Sequence, residues 1–166
     1  MRILALSLAL ALPGSAALAV DDCLVGTWVA DLDDLAHIMG VQMNGTARTV
    51  SGEVSMQIAA DGAITTLVDD LVLNVAVPNV PAMDVKVVGY SSGGMTAEDG
   101  AWATTIGEYD LVGAANVMGQ TMEIPFSSAT GMFGGGLGIY GCNADAVAFE
   151  STGDTPRIPR RWTRVD

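Results

Sequence analysis

Positive charge is scarce in this 166-residue chain: seven Lys and Arg stand against 19 Asp and Glu, a formal net charge of −12. Such a surface repels phosphate backbones and anionic headgroups, so nucleic acid is not an expected partner. His37 is the single histidine, and Cys23 and Cys142 are the only cysteines, too few ligands for an ordinary zinc site. The acidic pairs Asp33-Asp34 and Asp69-Asp70 lack the spacing of a calcium loop and read as solvated faces. No Ser/His/Asp set is apparent, and no lysine follows Gly134-Gly135-Gly136 to make a phosphate loop. No metal, no cofactor and no catalytic residue is therefore expected, and the chain is not read as an enzyme.

Long apolar runs are also lacking, with one exception at the start. Arg2 precedes "ILALSLALAL" (3–12), Pro13-Gly14 breaks the run, and Ala17-Leu18-Ala19 forms a small-residue cleavage site. This is the pattern of a signal peptide over 1–19; an uncleaved anchor is the alternative, but the run is too short to span a bilayer. A periplasmic or secreted location is expected, with one domain over 20–166. Loss of the leader would leave 147 residues, with six basic against 19 acidic side chains and a net charge of −13. That length supports a single core. Two cysteines in an exported chain are expected to pair, Cys23 with Cys142, across 119 residues of sequence; two free buried thiols are the alternative.

What the chain does have is alternation. In "TVSGEVSMQIA", Val50, Val54, Met56 and Ile58 fall on one face, with Thr49, Ser51, Glu53, Ser55 and Gln57 on the other. Asp61-Gly62 supplies a hairpin turn. "AITTLV", "LVLNVAV", "AMDVKVVGY", "AWATTIG", "YDLVGAANVM", "LGIYGC", "AVAFES" and "IPRRWTRV" continue as short strands, with Gly93-Gly94 and Asp99-Gly100 as punctuation and 125–136 as a loop by composition. One apolar face per strand implies one enclosed interior, and closing the sheet hides its edges. The expected fold is all-β: an antiparallel up-and-down β-barrel of about 8–10 strands with a short helix between the first two. A two-sheet sandwich is the alternative. Asp31 can cap that helix, Leu32, Leu35, Ala36, Met39 and Met43 have helical spacing, and Gly40 can end its first piece.

These features together carry a resemblance. "VGTW", the acid-capped helix, "VQMNGTARTVSG" and "VSMQIAADGAITTL" resemble the opening of the intracellular fatty-acid-binding proteins of the calycin superfamily, and "RRWTRV" is similar to their closing strand. It covers roughly the first fifty mature residues and the last seven; an exported lipocalin is an equal placement within the superfamily. The resemblance implies a helical lid and an Arg-x-Tyr carboxylate clamp, met here as Arg160-x-Trp162.

The expected ligand set is Arg160 on an acid head, Trp162 lining the cavity, and Met39 and Met56 as adaptable apolar wall. Alternatively, one arginine of the group Arg157, Arg160, Arg161 and Arg164 stacks across Trp28 and closes the barrel end, or the group faces a protein partner. Small residues at Gly52, Gly89, Gly113, Ala115 and Gly141 either leave room for a ligand or mark bends. The expected function is to hold an apolar small molecule such as a fatty acid inside the barrel. The alternative is a non-catalytic envelope module with a filled barrel.

Overall fold

The computed structural model describes residues 20–117, 119–129, 131–153 and 156–166, so the expected signal peptide lies outside the described residues. Its elements are β1 (Gly26–Ala30), α1 (Leu32–Gln42), β2 (Thr46–Ile58), β3 (Ala63–Ala76), β4 (Met83–Glu98), β5 (Ala101–Val117), β6 (Gln120–Pro125), β7 (Gly136–Cys142), β8 (Ala146–Ser151) and β9 (Arg161–Arg164). All strand pairings are antiparallel. Eight strands close a ring in the order β4-β3-β2-β1-β9-β8-β7-β5, with β4 pairing back to β5. β6 stands outside it: Ala101–Thr104 of β5 pairs with β7, whereas Val112–Val117 pairs with β6. No described helix is long and apolar enough to cross a membrane.

The strands are fewer and longer than the turn signals suggested. "AITTLV" and "LVLNVAV" form one strand, β3, and "AWATTIG" and "YDLVGAANVM" form β5. Bulges replace the expected breaks. One spans Thr49–Glu53 of β2 against a second at Val68–Leu71 of β3, where Asp70 takes a φ of 45°. Gly52 sits in the first at φ 105°, and a β-carbon there would lie 2.6 Å from the Asp70 carbonyl oxygen. The bulge flips the alternation. Val50, expected on the inner face with Val54, is half exposed, while Val54, Met56 and Ile58 are buried. Gly93-Gly94, read as punctuation, lies inside β4, with Gly93 pressed against the backbone of β5 at Thr105.

The expected helix is present. Asp31 accepts from the backbone N–H groups of Asp33 (2.9 Å) and Asp34 (3.4 Å), and Leu35, Ala36, Ile38 and Met39 are buried. It runs two residues past Gly40, whose missing side chain lets the backbone of Gly45–Ala47 pass close by. α1 packs on β2, where the Thr49 hydroxyl donates to the Leu32 carbonyl (2.8 Å).

The last strand is tied to both helix and first strand. Asp34 accepts from the Arg161 backbone N–H (2.8 Å) and from its guanidinium (3.0 and 3.2 Å). Burial pushes the Asp34 carboxyl up, but the hydrogen bonds and charge of Arg161 outweigh it and leave the pKa below its usual 3.8. A lowered folded pKa means this latch is at full strength above the unfolded value and fades as pH falls through the folded one. Asp34→Asn should lower the unfolding midpoint at pH 7, and the gap from wild type should shrink toward zero in melts taken below pH 3.8. A gap that is constant with pH would contradict the assignment.

The barrel end around β1 is closed by Arg164. Its guanidinium lies 4.2 Å from the Trp28 ring centroid and donates to the carbonyls of Val25 (2.8 Å), Cys23 (2.8 Å) and Ala144 (2.7 Å). Cys23 and Cys142 are bonded beside it, with a Cα–Cα distance of 6.1 Å.

Candidate functional site

The inner face of β3, β4 and β5 is not filled along its whole length. A pocket of about 410 Å³ opens between these strands, the loop before β7 and the segment after β8. Its buried floor is formed by Ile64, Thr66, Ser91 and Trp102; its rim includes the exposed Leu137, Thr152 and Gly153. Ile106, Phe133 and Ile158 supply further apolar wall. The volume falls within the range of small-molecule sites, about 300–1,000 Å³.

The loop over the pocket is held rather than free. Met132 and Phe133 are buried. The Tyr109 hydroxyl donates to the Met132 carbonyl (2.8 Å), and the Phe133 N–H donates to the Arg157 carbonyl (2.7 Å). Burial pushes the Tyr109 phenol up to about 12, with the charge of Arg157 acting the other way. The Gly136 N–H donates to the Thr104 hydroxyl (3.0 Å), which occupies that side chain. Gly134-Gly135-Gly136, part of the stretch read as a loop by composition, therefore forms part of an anchored wall. Trp102 is fixed by its indole N–H to the Ile139 carbonyl (3.1 Å) and by an edge contact with Phe149, centroids 5.6 Å apart.

Two polar features stand out in this apolar pocket. Thr66 and Ser91 are the buried polar residues of the described chain, each 4% exposed, and neither hydroxyl has a hydrogen-bond partner among the described residues. The fully buried side-chain polar atom without a partner among the described residues is Gln42 Nε2, so these two hydroxyls keep access to the pocket space. Arg157 also borders the pocket, donating to the Gly134 carbonyl at 3.2 Å. The other three clustered arginines have carboxylate partners: Arg160 with Glu150 (2.6 Å), Arg161 with Asp31 and Asp34 (both 3.0 Å), Arg164 with Asp166 (3.4 Å). Among the described residues Arg157 has none.

The expected ligand set is dispersed. Arg160 does not enter the barrel: it is exposed and paired with Glu150, because β9 begins only at Arg161 and strand alternation does not reach back to 160. Trp162 is fully packed, its indole N–H donating to the Pro159 carbonyl (2.9 Å), and Met56 is core; neither borders the pocket. Met39 borders a second, more open cleft of about 440 Å³ between α1 and β6, which also touches Arg157. No residue of α1 lines the first pocket: the helix packs against β2 and β3 and is not its lid. Thr66 and Ser91 had a signal in the sequence, as polar residues in phase with Ile64 and Met95. Phe133 and Arg157 had none, since both lie in irregular chain.

Comparison with known proteins finds no matching family model, no similar curated protein and no similar solved structure. The protein is a closed eight-stranded antiparallel barrel with a short helix after its first strand and a pocket opening between strands and loop.

Proposed function

We propose that this protein is an exported binding module that holds a small, largely apolar molecule bearing an acidic group, without acting on it chemically. The observation that carries this reading is the pocket between β3, β4 and β5: apolar walls, two floor hydroxyls that bond none of the described residues, and a bordering arginine with no carboxylate partner among the described residues. The calycin-like architecture is in keeping with it, and the disulfide suits a periplasmic or secreted setting. The acid head is assigned to Arg157 rather than Arg160. A guanidinium binds a carboxylate by a charge-assisted pair, worth about 1.5–3 kcal/mol when water is largely excluded.

Delipidated protein titrated with a fluorescent fatty acid tests the reading. Saturable binding is expected, weakened about tenfold or more by Arg157→Ala and unchanged by Arg160→Ala. No saturable binding would sink it. That outcome would favour the second reading, a structural envelope module, whose support is the dense packing elsewhere in the barrel: Leu71, Leu73, Val75, Val85 and Val87 are each 0% exposed.

A further inference from the structure

We infer that the ligand of this pocket carries an uncharged oxygen at its buried end, opposite its acid head, and so is a hydroxy or oxo acid rather than a plain fatty acid. This rests on the binding reading above and goes one step further into ligand chemistry. Thr66 on β3 and Ser91 on β4 are register partners, directly opposite one another on the inner face. Both are 4% exposed, both border the pocket, and neither has a protein partner among the described residues. Their neighbours along the inner face are apolar: Ile64 and Val68 on β3, Met95 on β4. The hydroxyls are not sealed off, since the fully buried side-chain polar atom without a partner among the described residues is Gln42 Nε2; both open onto the pocket, where they can bond what enters it. The nearby Thr104 hydroxyl is already engaged by Gly136, which leaves this pair as the polar spot of the floor.

Hydroxyls both donate and accept, so the pair suits a ligand hydroxyl or ketone. A carboxylate does not belong there, because a bare charge in this floor would have no counter-charge. The border has one in Arg157. The ligand is thus polar at two ends, with its apolar middle against Trp102, Ile106 and Phe133.

Competition against the fluorescent probe tests this with medium-chain acids of matched length, with and without a terminal hydroxyl or a ketone near the far end. At the best-fitting length the oxygenated acid should bind about tenfold tighter than the plain one. Thr66→Val with Ser91→Ala should abolish that preference and leave the plain acid bound as well or better. Melting of the double variant gives an independent check: its midpoint should be equal to or above wild type. Equal binding of plain and oxygenated acids, a preference that survives the double substitution, or a midpoint several degrees lower overturns the inference while leaving the binding reading standing. If neither kind of acid, nor the probe, binds, the binding reading falls and this inference falls with it.

Discussion

Trp28→Ala should destabilise the protein by about 3–5 kcal/mol in denaturant unfolding, a large share of the 5–15 kcal/mol typical of a whole domain. Trp28 is 0% exposed and sits where three elements meet. It pairs in register with Met56 of β2 on one side and Arg164 of β9 on the other. Its indole N–H donates to the Leu24 carbonyl at 2.8 Å, and Arg164 lies over its ring. Alanine removes the ring volume, the platform under the guanidinium and the donor to Leu24 together. Trp28→Phe separates these effects: the aromatic platform stays, the donor goes, and the expected cost falls to about 1–2 kcal/mol. A Trp28→Ala cost under about 1 kcal/mol would mean that this end of the barrel relaxes to fill the gap.

The size of that effect follows from how the ring is closed. β1 and β9 share three register pairs, Trp28↔Arg164, Val29↔Thr163 and Ala30↔Trp162, joining segments more than 130 positions apart. Closure at so few pairs cannot rest on backbone hydrogen bonds alone. The two tryptophans, the Arg164 fan of carbonyl contacts and the Asp34–Arg161 latch all act at this one seam. The arginine cluster of the C-terminal segment is therefore mostly structural: Arg164 stacks across Trp28 and closes the barrel end, one of the alternatives open from the sequence, and Arg157 is the one of the four with no carboxylate partner among the described residues.

The closed antiparallel barrel and the helix after its first strand could be read from the sequence because both write periodic signals. Val54, Met56 and Ile58 alternate, Leu35 and Met39 repeat at helical spacing, and Asp31 is a capping residue where one is needed. The strand count was less legible. The breaks read at Asp69-Asp70 and Gly93-Gly94 are a bulge and a close backbone approach within continuous strands, and nothing local distinguishes those from turns. The site was the least legible part. Its wall comes from 131–136 and its arginine from 157, segments without period, so which way their side chains face is set by long-range contacts such as Tyr109 to Met132. Extending strand parity to Arg160 assigned it to the interior, whereas parity begins one residue later. Thr66 and Ser91 were within reach, since an unexplained polar residue on an apolar face is itself a signal.

Removing the disulfide by Cys23→Ser with Cys142→Ser should cost about 2–5 kcal/mol and lower the melting midpoint by roughly 10 °C, without weakening ligand binding in protein that remains folded. The bridge closes a loop across 119 positions, and confining a loop of that size in the unfolded chain is worth about 4–5 kcal/mol in the chain-entropy account. In the folded state it joins the residue run before β1 to the end of β7, reaching past β8 and β9, which lie between β1 and β7 in the ring. Part of its work is duplicated. Arg164 also holds the Cys23 carbonyl, and the Tyr140 hydroxyl bonds Asp21, so the reduced barrel should still fold, with these contacts keeping the N-terminal segment in place. Binding should survive because the pocket borders Gly136 and Leu137 at the start of β7, whereas Cys142 ends the same strand, about 20 Å away along it. Melts and probe titrations of the oxidised and double-serine proteins, both below the lower midpoint, separate the two claims. Equal midpoints would show that the seam contacts already confine the chain; lost binding at an intact fold would show that the far end of β7 sets the shape of the pocket.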